Sequence, residues 1–141
     1  NSAVGAVTRL VDMGIEPFLL ATSLVGVLSQ RLVRVLCPEC KVVHVADASE
    51  RKFLGSNADA IIYQPNGCDA CAHTGYKGRT GIYELVVVDD HLRQLIHDQA
   101  SEQVMVDHVR GDAPTIQDDG RQKVLSGDTT IQEVLRVTLE E

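Results

Sequence analysis

Cys37-Pro38-Glu39-Cys40 and Cys68-Asp69-Ala70-Cys71 are the stretches from which the rest of this 141-residue sequence is read. They form a C-x2-C-x27-C-x2-C pattern. Two residues between cysteines let both sulfurs face one ion while backbone amides point at the thiolates, and two such knuckles complete a closed four-thiolate shell of the kind zinc takes in structural sites. A closed shell leaves no position for substrate, so the expected role of the metal is structural, with Cys37, Cys40, Cys68 and Cys71 as ligands. Gly67, Gly75 and Gly78 supply backbone freedom around the second knuckle. Three rival readings remain beside zinc: two disulfides, a thioredoxin-like pair suggested by Cys-Pro-x-Cys, and plain buried thiols that never meet. His44 and His73 flank the knuckles and are expected to be solvated or to support the ligands, since four thiolates already fill the shell.

Outward from the knuckles, helical spacing of Ala3, Val4, Val7, Leu10 and Val11 predicts a first helix, capped by Asn1 or Ser2 and ended at Met13-Gly14. Glu16-Pro17 opens a second helix, expected to run to about Leu36 with Leu20, Leu24, Val27, Leu28, Leu32 and Val35 on its buried side. Asp47-Ala-Ser-Glu50 has the spacing of a capping box and predicts a short helix to about Leu54. Ser56 to Asp59 reads as loop, Ile61-Ile62-Tyr63 as a short strand, and Gly81 to Val88 as the clearest strand. Beyond Asp89 the pattern is helical: a face of Leu92, Leu95 and Ile96, a helix after Ser101, a break at Gly111-Asp-Ala-Pro114, a helix from Thr115 to Leu125, and a last one capped by Thr129 or Thr130 with Gln132 or Glu133 in the reciprocal position. The fold class is mainly α with a few short strands. Boundaries are expected near 36/37 and 88/89.

Composition narrows the function classes. Apolar residues make up 44% and charged residues 23%, which argues against wholesale disorder, and aromatics are only 4%, so the core must be aliphatic. The net charge of −7 excludes a non-specific nucleic-acid binder, which needs a basic surface. The apolar run from Pro17 stops at Gln30-Arg31, too short to span a membrane, and no signal-peptide pattern is present. The acid is uneven: residues 89–141 carry twelve Asp/Glu against five Lys/Arg. No G-x4-G-K-[ST] loop exists, and the glycines of Gly75-Tyr-Lys-Gly78-Arg-Thr-Gly81 precede a strand rather than a helix. Glu84 through Asp89-Asp90 reads as a strand followed by a helix cap rather than a magnesium site. No nucleophile–base set has persuasive spacing. From its residues alone the chain is a zinc-stabilised, mainly helical piece without a complete catalytic site.

Several stretches together resemble the traffic ATPases of type II secretion (the GspE family): Asn1-Ser-Ala-Val-Gly-Ala-Val-Thr-Arg-Leu10, Met13-Gly-Ile-Glu-Pro-Phe18, Gln30-Arg-Leu-Val-Arg34 leading into the first knuckle, Gly78-Arg-Thr-Gly-Ile-Tyr-Glu-Leu85, and Asp119-Gly120 with Glu133-Val-Leu-Arg-Val-Thr138. The resemblance covers essentially the whole chain. Type IV pilus assembly ATPases share much of the pattern, whereas the retraction ATPases lack the tetracysteine insert. The resemblance implies that residues 1–36 are the last helices of a RecA-like ATPase core, that 37–88 hold the tetracysteine zinc subdomain and the following strand, and that 89–141 form a C-terminal helical subdomain. It also implies that the Walker A and Walker B motifs lie upstream. This chain would then be a fragment without turnover of its own, and ATP and Mg2+ would belong to the full-length parent.

That parent is implied to work as a hexamer in the cytoplasm, peripheral at the bacterial inner membrane, in contact with the secretion platform and without inserting into the bilayer. Arg9 and Arg79 lie in the best-matching stretches and are candidates for nucleotide or subunit contacts, since guanidinium pairs with phosphate or carboxylate in a bidentate way. The plainer reading pairs Arg9 with Asp12 and lets Arg79 balance the zinc–thiolate charge. Arg31 and Arg34 are expected to be structural or at an interface. Self-association is expected if residues 1–36 have lost the sheet they pack on. Competing functions are a type IV pilus assembly ATPase, an independent zinc-ribbon protein-binding module, and a chaperone or redox zinc domain. Changing Cys37 or Cys68 to Ser is expected to unfold residues 37 to about 80 first and to spare the C-terminal helices.

Overall fold

The computed structural model describes residues 2–55, 60–111 and 113–139. The loop expected at Ser56 to Asp59, the alternative cap Asn1 and position 112 of the expected break lie outside the described residues. In chain order the elements are α1 (Ala3–Asp12), α2 (Pro17–Ser23), β1 (Gly26–Leu36), β2 (Val42–Val45), α3 (Ala48–Leu54), β3 (Ile61–Gln64), β4 (Tyr76–Val87), α4 (Asp90–His97), α5 (Glu102–Arg110), α6 (Ile116–Leu125) and α7 (Ile131–Thr138). Two compact units emerge, interleaved along the chain: residues 1–29 with 83–115, and residues 30–82 with 116–140. β1 and β4 are neighbours in one two-stranded sheet, and each contributes residues to both units. Among the described residues seven α-helices accompany the strands, but β1 and β4 have 11 and 12 residues, so the expectation of short strands holds only for β2 and β3.

The first unit is built from α1, α2, α4 and α5 with the ends of β1 and β4. Ser2 caps α1, its hydroxyl accepting from the Gly5 N–H at 3.1 Å. Gly14, at φ 100°, stops it: the N–H groups of Gly14 and Ile15 reach back to the carbonyls of Val11 and Leu10. This is the paired arrangement that satisfies a helix's last carbonyls, and it requires the left-handed backbone glycine adopts freely.

The long second helix is a misreading that the structure corrects. α2 ends at Ser23, and the chain continues as β1. Thr22 and Ser23 turn their hydroxyls onto the carbonyls of Phe18 and Leu19, which weakens a helix's continuation. Gly26 then admits the backbone of β4, since a Cβ there would sit 3.2 Å from the Val86 carbonyl oxygen. Along β1 burial alternates residue by residue, the period of a strand, and Leu28 and Leu32 face solvent instead of lining a helix's buried side. Pairing with a distant strand overrode the local spacing.

Ala3, Val4, Val7, Leu20, Ala21, Val86, Leu92, Ile96 and Met105 form the core of this unit. Arg93 on α4 donates to the carbonyls of Ala21 and Leu24, capping the end of α2 with charge. Asp89 caps α4, accepting from the Leu92 N–H at 2.7 Å, and its other partner is His108 Nε2 at 2.9 Å. These two contacts hold its carboxyl below the usual range. The strand-then-cap reading of Glu84 to Asp90 therefore matches the structure.

The second unit packs β2, β3, α3, α6 and α7 around Val33, Ala46, Leu54, Ile62, Ile82, Val124, Ile131 and Val134. β2, which the sequence did not suggest, runs antiparallel to β3 with Val43 opposite Tyr63 and Val45 opposite Ile61. α3 has the expected capping box, Asp47 accepting from the Glu50 N–H and Glu50 from the Asp47 N–H. Gly120 in α6 lets α7 approach: a Cβ there would lie 2.5 Å from Val134 Cγ1. Thr130 caps α7 through the Glu133 N–H, but Glu133 does not return to the cap. Its carboxylate is taken instead by Arg34 and Arg136.

Candidate metal centre

The four cysteines come from two loops. Cys37 and Cys40 follow β1 directly, and Cys68 and Cys71 bracket a 3-10 turn over Asp69–Cys71 just before β4. Cys37, Cys40 and Cys71 are buried and Cys68 is half-buried. Each offers one sulfur, and the four sulfurs lie within 4.8 Å of one another. Three of the separations, Cys37–Cys68, Cys40–Cys71 and Cys68–Cys71, are 3.8 Å. A tetrahedron with Zn–S bonds of about 2.3 Å has edges of about 3.8 Å, so the set can hold a tetrahedral ion with little movement. All four are free thiols, in neither of the two disulfides weighed from the sequence, and the four gather at one point, as isolated buried cysteines would not.

The backbone is folded to serve these sulfurs. The Gly67 N–H donates to Cys40 Sγ at 3.3 Å, and the N–H groups of Cys68 and Gly75 donate to Cys71 Sγ at 3.3 and 3.2 Å. Donors aimed at sulfur favour the thiolate. Reaching these positions takes unusual backbone: Ala72 and His73 have φ of 54° and 63°, and Gly75 has φ 82°. At Gly75 no side chain fits, because a Cβ would fall 2.4 Å from Pro65 Cβ.

Crowding splits the thiols electrostatically. Burial pushes Cys71 up, but the amide hydrogen bonds from Cys68 and Gly75 outweigh it and leave its thiol below the ordinary range. Burial pushes Cys68 well above that range. Four thiolates this close are not stable together without a cation between them, which is the electrostatic signature of a site made for one.

The histidines take no part in the cluster. His44 Nε2 lies 2.7 Å from Glu50 Oε1, at the capping box of α3. His73 Nε2 is 3.0 Å from Asp69 Oδ1 on the exposed side of the knuckle. Arg9 is exposed in the last turn of α1, and Arg79 is exposed on β4. They fall in different compact units. Among the described residues Arg9 forms no ion pair with Asp12, and neither arginine contacts the thiols.

Sequence reasoning missed the polar cluster beside the knuckles. Glu133, with a side chain only 3% exposed, accepts from the Arg34 N–H at 2.8 Å and pairs with the guanidinium groups of Arg34 and Arg136 at 3.1 and 3.0 Å. Arg34 stacks over the Tyr76 ring at 4.1 Å, the Tyr76 hydroxyl meets Thr130 Oγ1 at 2.9 Å, and Thr129 donates to the Arg34 carbonyl at 2.7 Å. Lys41 Nζ donates to the Gly127 carbonyl while lying over the Tyr63 ring. The turn between α6 and α7 is thus tied to the residues that flank both knuckles. Glu133 stands out in sequence only as a possible cap partner, and nothing local points it at Arg34, 99 positions away.

Comparison with known proteins places the arrangement. The family model described as type II/IV secretion system protein matches residues 1–136. A type II secretion system protein E of Pseudomonas aeruginosa is 61% identical over the whole chain, and the type II secretion system ATPase E of Vibrio cholerae is 56% identical over 99% of it. A protein of Escherichia coli named putative type II secretion system protein E is 45% identical over 97%. The chain spans 28% of the length of each of these relatives.

Proposed function

The chain belongs to the type II/IV secretion system protein family, and from that premise we propose that it is the C-terminal region of a type II secretion motor ATPase. The observation that carries the reading is the 61% identity along the entire chain to a type II secretion system protein E. The type II names of the compared relatives favour this over a pilus assembly ATPase. In this reading ATP hydrolysis by a nucleotide-binding region outside this sequence drives pseudopilus assembly and protein export, in a hexamer at the cytoplasmic face of the inner membrane. Residues 1–36 end the RecA-like core and 37–88 hold the metal subdomain, while the helices of 89–141 divide between the two compact units. The chain itself has no phosphate-cradling loop and supplies geometry and contact surfaces, with Arg9 and Arg79, both exposed, available to a neighbouring subunit or the platform. No helix among the described residues is long and apolar enough to cross a membrane.

Zinc is the metal the thiol set fits best, and Cys37, Cys40, Cys68 and Cys71 would hold it as a structural centre. Bound zinc joins the two knuckles, and such sites supply roughly 10–16 kcal/mol of apparent binding energy near neutral pH. The chain's own part is to bury the thiols and aim the amides of Gly67, Cys68 and Gly75 at them.

The test of function is a graft. Replacing the matching region of the P. aeruginosa relative with this chain is expected to preserve export in cells and ATP turnover by the purified hybrid. A hybrid that folds and assembles but exports nothing overturns the secretion reading. Elemental analysis is expected to find one zinc per chain, with four thiols titrating only after chelation; four free thiols without metal would remove zinc.

A further inference from the structure

Pro65-Asn66-Gly67 joins β3 to the second knuckle. The sequence holds three asparagines, and Asn66 is the one followed by glycine. The pairing matters chemically: the backbone nitrogen of the next residue can attack an asparagine side chain, and a glycine there has no Cβ to obstruct the approach. Asn66 is exposed and Gly67 half-buried. The Gly67 nitrogen is nevertheless engaged, its N–H donating to Cys40 Sγ at 3.3 Å. The backbone around it is packed on the segment that follows the knuckle. A Cβ on Gly67 would lie 3.1 Å from the His73 carbonyl oxygen, and one on Gly75 would lie 3.3 Å from the Asn66 nitrogen. The nucleophile that Asn66 would meet is thus tied to one of the four clustered sulfurs.

We propose that Asn66 is a site of spontaneous deamidation that the metal centre holds in check. In the reaction the Gly67 nitrogen gives its proton to water and bonds to Asn66 Cγ, and the side-chain nitrogen takes up a proton and leaves as ammonia. Water then opens the succinimide ring at one of its two carbonyl carbons, leaving aspartate or isoaspartate at position 66. While a cation fixes Cys40, the Gly67 N–H points at a negatively charged sulfur, and removing its proton beside that charge is unfavourable. Once the cation leaves, nothing holds the knuckles together and the nitrogen is free to turn towards Cγ. The product then opposes recovery of the metal. It adds a carboxylate beside four thiolates whose charge a divalent ion only halves, and isoaspartate also lengthens the backbone by one atom just before the N–H that Cys40 accepts. The proposal rests on the metal reading and not on the secretion reading.

The experiment incubates the whole chain, kept reduced, in three states at one pH and temperature: zinc-loaded, chelated, and unfolded in guanidinium chloride. Peptide mass spectrometry follows the amide-to-acid mass change at Asn66 and separates the two products, and zinc is quantified in the same samples. In the unfolded chain Asn66 is expected to convert ahead of Asn57, which precedes alanine. With zinc bound, conversion is expected to be slower by about tenfold or more, since it waits on local opening, and chelation should restore most of the unfolded rate. Aged chain rich in isoaspartate at position 66, and the variant Asn66→Asp, should both release zinc to a competing chelator faster than fresh chain. Asn66→Gln should hold zinc normally and stay unmodified. Equal rates with zinc and in guanidinium chloride, a chelated chain as slow as the zinc-loaded one, or no preference for Asn66 over Asn57 in the unfolded chain would overturn the proposal. A chain that takes up no zinc would overturn it through the metal reading, and the zinc measurement shows that outcome separately from the rates.

Discussion

Glu133 is a carboxylate that water scarcely reaches, and Arg136 and Arg34 hold it ionised. Burial works against the charge, but the hydrogen bonds from Arg136 and Arg34 outweigh it and bring its pKa from 4.5 to about 2. Folding therefore favours the ionised form. The stability this contributes is complete above about pH 4.5 and is lost as the pH falls towards 2. Glu133→Gln is expected to cost about 1–3 kcal/mol at pH 7, because the carboxylate charge is lost and one of its two accepting oxygens becomes an NH2 facing the guanidinium groups. The variant should also show a flatter stability profile between pH 4.5 and 2, read from urea midpoints across that range. A wild-type profile as flat as the variant's would contradict the assignment. A second residue-scale test concerns Gly75. Gly75→Ala puts a Cβ against Pro65 at a backbone angle that alanine avoids, and the expected result is weaker metal retention in competition with a chelator.

At the scale of elements, small residues and caps decide which segments meet. Gly120→Ala raises intrinsic helix propensity by about 1 kcal/mol but drives a methyl group into Val134. Overpacking costs about 1–3 kcal/mol, so the variant is expected to be less stable in thermal or urea unfolding. Adding Val134→Ala should recover part of the loss, and simple additivity of the two changes would show that the contact is not the cause. α3 was readable from its capping box and α1 from its spacing and Gly14, because caps and stop signals act within one turn. β1 was not readable. Its apolar residues fit a helical stripe as well as an alternating strand, and the choice was made by β4, more than forty positions further along.

Across the whole molecule the expected separation of metal region from C-terminal helices is redrawn. α4 and α5 belong to the first compact unit, while α6 and α7 share the second with all four cysteines. The Leu36 N–H donates to the Asp128 carbonyl and Lys41 to that of Gly127, so the residues flanking the first knuckle hold the α6–α7 turn. Removing the metal, or Cys68→Ser, is therefore expected to reduce hydrogen-exchange protection over residues 30–55, 60–82 and 116–139 together. Residues 3–23 and 90–110 should keep theirs. Loss confined to 37–80, with α6 and α7 protected, would restore the narrower unit; uniform loss across the chain would dissolve the division altogether.

The four metal-ligand candidates, the capping box of α3 and most helices were written locally, since knuckle spacing, cap residues and stop glycines act over a few positions and carry their chemistry wherever the fold puts them. The strand character of β1, the pairing of β2 with β3, and the burial of Glu133 against Arg34 were not. Each depends on contacts between segments far apart in sequence, where burial and charge pairing contribute more than local propensity, and such contacts exist only once the chain has closed on itself.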